Sequence, residues 1–247
     1  MELYGLVGRN ISYSFSRDYF SRMFSRLHLN AAYENFDLDD ISRLPEVLSR
    51  PNLRGFNVTI PFKESIIPFL DSLSAEARAV GAINTVKVLA NGRLEGYNTD
   101  WIGFRDTLIP LLTPAHRQAL ILGTGGASKA VKYALDFLKI DSQCVSRKGH
   151  LCYENLIRDN FDDELIIVNC TPLGTFPNTE QSPPLPAGFF RKADIAFDLV
   201  YNPPVTRFLE TAAAAGASTI NGLPMLQVQA QKAWEIWQQD PAGGHAR

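Results

Sequence analysis

The chain has 247 residues, 45% hydrophobic and 20% charged, the composition of an ordinary globular protein with one large domain or two modest ones. Its formal net charge of −2 leaves no basic excess to neutralise phosphates, which excludes a general nucleic-acid binder. No apolar run approaches the ~20 residues of a membrane span, and the four scattered histidines lack ligand spacing, so neither a membrane nor a metal is expected.

The opening "MELYGLVGRN" has no basic segment followed by an apolar one, so no signal peptide is expected. Cys144, Cys152 and Cys170 show no CxxC spacing and read as reduced thiols, which points to the cytoplasm. The first predicted strand is "LYGLVG" (3–8). The helix "SRDYFSRMFSRLHL" (16–29) follows, with Tyr19, Phe20, Phe24 and Leu27 on one face. "AYENFDL" (32–38) is a second strand, and Pro45 belongs in the first turn of a short helix. "GFNVTI" (55–60) alternates Phe56, Val58 and Ile60 with Asn57 and Thr59, the pattern of a half-buried strand. "INTVKVLANGRLEGYN" predicts a hairpin around Asn91-Gly92. "TDWIGFRDTLIPLL" (99–112) predicts a helix capped by Thr99 or Asp100.

Beyond residue 100 the pattern becomes regular. Strands "QALILG", "SQCVSR", "LIIVNC" (165–170), "ADIAFDLV" (193–200) and "ASTIN" alternate with helices "GASKAVKYALDFLK", one around 152–158, and "PVTRFLETAAAAG". A Pro-rich loop occupies 172–186, and a last helix (222–239) carries Trp234 and Trp237. Strands separated by helices imply parallel sheets with helices on both faces, an α/β fold. The change near residue 100 divides it into two α/β domains. They are expected to be 1–100 with 223–239, and 101–222, with 240–247 a flexible tail that has nothing to pack.

Four clusters carry possible chemistry. In "ALILGTGGASKAV" a strand runs through Gly123, Thr124, Gly125, Gly126 and Ala127 into a helix. Backbone amides there can face a pyrophosphate, although Ser128 replaces the third glycine of the usual fingerprint. The next strand ends at Ser146-Arg147-Lys148, with Arg147 lying 24 residues beyond Gly123. An acidic residue at this place would bind a ribose hydroxyl, whereas two cations and a hydroxyl suit a 2′-phosphate, so NADP is favoured over NAD. Ser14 and Ser16 can share one anionic group, or Ser16 can be only a helix cap. Thr59, Lys63, Asn84 and Asp100 stand at strand ends and helix starts, where open α/β sheets bind ligands; a lysine and an aspartate there can serve a proton transfer.

These stretches lie within a longer series: "FNVTIPFK", "GAINTV", "GYNTDWIGF", "GTGGASKAV", "NCTPLGT", "DLVYNPP" and "NGLPMLQVQAQ". In this order they resemble the successive motifs of the shikimate dehydrogenase family, over nearly the whole chain to residue 239. The resemblance implies reversible NADPH-dependent reduction of 3-dehydroshikimate to shikimate, in a cleft between a substrate-binding domain and a Rossmann-like NADP domain. It implies that Ser14 and Ser16 bind the substrate carboxylate. Thr59, Asn84, Asp100, Tyr201 and Gln229 would bind its hydroxyls and ring oxygens, and Lys63 would be the acid/base group with Asp100 as its partner. The turn at 123–127 would hold the pyrophosphate and Ser146, Arg147 and Lys148 the 2′-phosphate. Thr171, Leu199, Gly222 and Met225 would line the nicotinamide side. The implied partners are small molecules, with neither nucleic acid nor membrane, in a monomer or homodimer. Asn10, Tyr13 and Arg17 stand where the family commonly has Pro, His and Pro, which weakens any claim of substrate stringency. Two other functions stay open: a quinate/shikimate dehydrogenase of broader specificity, and a nonenzymatic NADP-binding sensor.

Overall fold

Alternation in the first strand sets the layering of the first half of the chain. In the computed structural model, which describes residues 1–11, 14–147, 151–162 and 164–239, β1 (Glu2–Gly8) is buried from Leu3 onward. Leu3 and Val7 join one apolar cluster, Tyr4 and Leu6 another. Successive side chains of a strand point to opposite faces, so both faces of this sheet are covered. Tyr13, Lys148 and the expected tail 240–247 lie outside the described residues.

β1 leads through α1 (Phe15–Arg26) to β2 (Ala31–Asp37), which pairs parallel with it. α1 buries Phe20, Met23 and Phe24, spaced as one helical stripe, against Tyr4 and Tyr33. Its N-cap is Ser14, not Ser16, which falls inside the first turn. α2 (Leu44–Leu48), with Pro45 in its first turn, returns the chain to β3 (Leu53–Val58), parallel to β1 on its other side. β3 stops at Val58 and does not reach Ile60. Asn57 is buried, not half-exposed, because α1 and the last helix cover its face.

The segment after β3 holds elements that apolar periodicity did not reveal: β4 (Ser72–Leu73) and α3 (Ala75–Val80). Ser74 caps α3 at its start, and Gly81, at φ +70°, ends it in the left-handed region that favours glycine. β5 (Thr85–Val88) and β6 (Leu94–Tyr97) form the expected hairpin. β5 also runs antiparallel to β3, so this sheet is mixed where a parallel one was expected; the short hairpin connection permits only antiparallel pairing of β5 with β6. The strand order is β2-β1-β3-β5-β6-β4.

The second sheet is parallel throughout. α4 (Asp100–Leu108) ends before Pro110, and the following turn is 3₁₀. Then come β7 (Gln118–Leu122), α5 (Gly126–Phe137), β8 (Asp141–Val145), β9 (Leu165–Asn169), β10 (Ile195–Asp198), α6 (Arg207–Ala214) and β11 (Ser218–Ile220). The helix expected around 152–158 is two single 3₁₀ turns, Tyr153–Asn155 and Arg158–Asn160. The order is β11-β10-β9-β7-β8. Leu120 and Leu122 face the cluster of Phe208 and Leu209 from α6, and Phe104 of α4 packs against Phe197 with ring centroids 4.8 Å apart.

The chain divides into two compact units, Met1–Thr99 with the chain from Ala230 onward, and Asp100–Gln229. α7 (Leu223–Gln238) gives its first half to the second unit and its last half to the first. Trp237 of that last half packs on the first sheet, its indole N–H donating to Val86 O at 3.0 Å. A Cβ on Gly55 would come within 2.3 Å of the indole nitrogen, so only glycine admits the ring there. Lys87 closes the helix end by donating to the carbonyls of Ile236 (2.9 Å) and Gln239.

Candidate active site

Both sheets reverse strand order once within a parallel stretch, the first between β1 and β3 and the second between β7 and β9. Connections leave the two strands in opposite directions at such a point and open a crevice at their carboxyl ends. Most residues singled out from the sequence lie at one or other of these two places.

In the first unit, Ser14 and Ser16 follow β1, and Thr59 and Lys63 follow β3. Thr59 is held against β1 by its amide, which donates to Val7 O at 2.9 Å. A Cβ on Gly8 would lie 2.5 Å from the Thr59 methyl, so glycine permits this approach. Phe62 turns back into the core, 3% exposed, and leaves Lys63 half-buried at the strand end. The Lys63 carbonyl accepts from Ile83 N at 2.7 Å, and Asn84 O accepts from Val58 N at 2.8 Å. Lys63, Thr59 and Asn84 therefore come together.

A buried polar network fixes these groups. Asn84 Oδ1 accepts from Thr99 N at 2.7 Å, and Asn84 Nδ2 donates to Thr99 Oγ1 at 2.9 Å. Asn57 Nδ2 donates to Thr85 Oγ1 (3.1 Å) and to Asn84 O (3.2 Å), and Asn57 Oδ1 accepts from the Tyr33 hydroxyl at 2.8 Å. That hydroxyl also hydrogen-bonds Ser16, and its pKa is raised well above the ordinary value by burial. Ser14 accepts from Arg17 N as the α1 cap, at 3.4 Å. Both serines are buried. Sequence reasoning missed Tyr33, Asn57 and Thr85, which sit on faces that alternation alone reads as solvated, and gave Thr99 only the part of a helix cap.

In the second unit the glycine turn follows β7. Gly123 has φ +110°, a conformation that L side chains rarely adopt, and its amide donates to Val145 O. Gly125 is the N-cap of α5, without a side-chain cap, and a Cβ there would meet open space. The first amides of α5 thus have room for an anionic group, so the turn fits a pyrophosphate. Ser128, at the place of the third glycine, is buried and donates to Gly125 O at 2.6 Å, closing the turn from below. Ser146 follows β8, half-buried, and Arg147 is exposed beside it; Lys148 lies outside the described residues.

Thr171 follows β9 and its methyl packs against Gly123. Leu199 and Gly222 are brought together: a Cβ on Gly222 would lie 2.1 Å from Leu199 O, and Gly222 N donates to Val200 O at 3.0 Å. Met225 and Gln229, both buried, pack beside α4 at Gly103, where a Cβ would meet Met225 O at 2.6 Å. Asp100 opens α4 and is buried, while Tyr201 is half-buried beyond β10. Asn169, Asp198 and Thr206, all buried, form a second network that sequence reasoning passed over. The available signal was a polar residue closing an otherwise apolar strand, in "LIIVN" and "IAFD". Among the described residues no cluster of three or more His, Cys, Asp or Glu could hold a metal ion, and no helix is long and apolar enough to cross a membrane.

Known proteins resemble this arrangement closely. The family profile of the shikimate dehydrogenase substrate binding domain matches residues 6–86. A shikimate dehydrogenase (NADP(+)) of Methanococcus maripaludis is 36% identical over 259 aligned positions, which cover 96% of this chain and 91% of that protein. The crystal structure of shikimate 5-dehydrogenase from Thermus thermophilus, in complex with NADP(H) and shikimate, superposes with a TM-score of 0.84 at 34% identity, covering 96% of this chain and 94% of that one. Quinate dehydrogenase from Corynebacterium glutamicum, in complex with NAD, shares the fold at a TM-score of 0.85 and 25% identity, over 96% and 93% of the two chains. With its two α/β units, its glycine turn and more than a third of its residues shared along nearly its whole length, the chain belongs to the shikimate dehydrogenase family.

Proposed function

We propose that the chain catalyses the reversible NADPH-dependent reduction of 3-dehydroshikimate to shikimate, a step toward the aromatic amino acids. The observation that carries this reading is the pair of strand-order reversals, one ringed by hydroxyls, an amide and a lysine, the other by an uncapped glycine turn. Residues 1–100 with 223–239 would bind substrate and 101–222 would bind NADP. Ser14 and Ser16 receive the carboxylate, and Thr59, Asn84, Asp100, Tyr201 and Gln229 the hydroxyls and ring oxygens. Gly123, Thr124, Gly125, Gly126 and Ala127 hold the pyrophosphate. Ser146, Arg147 and Lys148 take the 2′-phosphate, and Thr171, Leu199, Gly222 and Met225 line the nicotinamide. The enzyme works in the cytoplasm as a monomer or homodimer.

When bound, NADPH supplies the hydride. The protein's own task is at the ketone oxygen, which gains negative charge as the carbonyl is reduced. Lys63 answers with a positive charge and then a proton, and Asp100 orients the lysine and takes part in returning the proton. The buried amides and hydroxyls around Asn84 need no rearrangement when substrate arrives, because their partners already hold them.

Steady-state assays of the purified chain with shikimate or quinate, each with NADP or NAD, test the proposal. Turnover should be fastest with shikimate and NADP. Comparable kcat/KM for quinate would favour the broader enzyme, a reading supported by the likeness to quinate dehydrogenase. NADP binding without turnover of either acid would favour the sensor.

A further inference from the structure

Asp198 is a fully buried carboxylate that the proposed chemistry does not use. It closes β10 and accepts from three donors: Asn169 Nδ2 at 2.9 Å and Val200 N at 3.0 Å on Oδ1, and Thr206 Oγ1 at 2.5 Å on Oδ2. Thr206 in turn caps α6, accepting from Leu209 N. An asparagine in place of Asp198 could meet nearly the same geometry without a buried charge. Burial does push this carboxyl up to about 6. With Asn169, Val200 and Thr206 all donating to it, the group acts here only as an acceptor.

That restriction has a directional consequence. A carboxylate facing Asn169 obliges the amide to present its donating end, which turns Oδ1 toward the cofactor turn. There Asn169 Oδ1 accepts from Thr171 N at 3.0 Å and from Thr171 Oγ1 at 2.6 Å. The Thr171 hydroxyl hydrogen is thereby committed, and its oxygen accepts from Leu173 N at 3.3 Å. With the hydroxyl held inward, the Thr171 methyl lies against Gly123, 3.1 Å from where a Cβ would stand. We propose that Asp198, acting through the side chain of Asn169, is a positioning residue that sets the rotamer of Thr171 and so the floor of the NADP site. This rests on the reading that the glycine turn binds NADP.

NADP+ binding, measured by calorimetry without substrate, tests both steps. Wild type must bind NADP+; if it does not, the cofactor reading itself fails. Given binding, Asp198→Ala should weaken the Kd about tenfold, the worth of a lost charge-assisted hydrogen bond. Asp198→Asn keeps the Oδ1 acceptor and should stay within about threefold of wild type. Thr171→Val, which keeps the methyl and loses the hydroxyl, should also cost about tenfold. The double variant Asp198→Ala/Thr171→Val should be little worse than either single one, because both break one chain of contacts. A buried carboxylate with a merely structural role would give additive effects or none on Kd, and either result overturns the inference. Should Asp198→Ala lack a cooperative melt, Thr171→Ser decides: it retains the hydroxyl link and should bind more tightly than Thr171→Val. Equal affinities of those two variants overturn the proposal as well.

Discussion

The two units solve one problem, holding ligand-binding groups at a strand-order reversal, with different materials. The first unit uses neutral groups: Tyr33, Asn57, Thr85, Asn84 and Thr99 bond one another inside a mixed sheet. The second uses main chain, a turn of glycines before α5, closed from below by the Ser128 hydroxyl on Gly125 O. The difference follows from what each is proposed to bind. A cyclic acid with several hydroxyls needs side chains at set positions, whereas a pyrophosphate needs only convergent N–H groups and space. Side-chain networks carry chemistry; backbone turns carry affinity. Substitutions in the neutral network at the first reversal should therefore move kcat or the substrate KM, and those around the glycine turn the cofactor KM.

Lys63→Ala offers the strongest way to break that contrast. The ammonium matters most when the substrate oxygen becomes an alkoxide, so its loss removes stabilisation that the ground state barely uses. The variant should lower kcat by roughly 10²–10⁴-fold, while shikimate affinity by calorimetry falls far less. Asp100→Asn should lower kcat too, with the double variant little worse than the worse single one. Unchanged turnover in Lys63→Ala would make the lysine an ordinary strand-end residue.

How much of this was legible in the sequence depends on the range of the interaction concerned. The strand–turn–helix of residues 118–137 is a local pattern, and its glycines name their own task. The reading of β1, β2 and the hairpin held for the same reason. Alternation misplaces Asn57 and assigns Lys87 no role, because it reports two faces but not what covers them. α1 and the last half of α7 bury Asn57, and Lys87 is engaged by a helix end some 150 residues further on. The segment 152–158 looked helical by position in the βα rhythm, yet its chain makes only single 3₁₀ turns. The role of Lys63 came from family resemblance; composition and period alone leave it a surface residue.

Asp198→Asn sharpens the comparison through stability. The folded carboxyl titrates near 6, above its unfolded value of 3.8, so the native chain holds this proton more tightly than the unfolded chain does. Ionising it inside the fold therefore costs stability, fully above about pH 6 and not at all below about pH 4, by roughly 3 kcal/mol. The neighbouring Cys170 thiol is pushed well above its ordinary value by burial and stays neutral throughout this range. Urea denaturation should show Asp198→Asn more stable than wild type at pH 8, with the gap closing as pH falls from 6 to 4. A constant gap across that range would mean that the carboxyl is not the titrating group.

Arg147→Ala probes the selectivity of the second unit. Arg147 is exposed beyond β8, and only NADP carries the phosphate it is proposed to meet. Charge-assisted hydrogen bonds of this kind contribute about 1.5–3 kcal/mol. The KM for NADP should rise about tenfold or more while that for NAD changes little. Equal weakening of both cofactors would place the 2′-phosphate elsewhere.

Tyr33→Phe is the smallest change and the closest test of the neutral network. The Tyr33 hydroxyl donates to Asn57 Oδ1 at 2.8 Å and hydrogen-bonds Ser16, so it joins the serine end of the proposed site to the asparagine end. Phenylalanine keeps the ring stacked on Phe20, whose centroid lies 4.6 Å away, and removes only the oxygen. The core should therefore keep its packing, at a cost of about 1–3 kcal/mol for the buried hydrogen bonds lost at Asn57 and Ser16. Unlike the loss of the buried charge at Asp198, this change should destabilise the fold at every pH below the tyrosine range, since no group titrates there. Freed from Tyr33, Ser16 can turn away from a bound carboxylate, so the KM for shikimate should rise several-fold while that for NADP stays put. A rise confined to the NADP KM would reverse the assignment of the two units. An unchanged shikimate KM would mean that Ser16 is held by its helix alone.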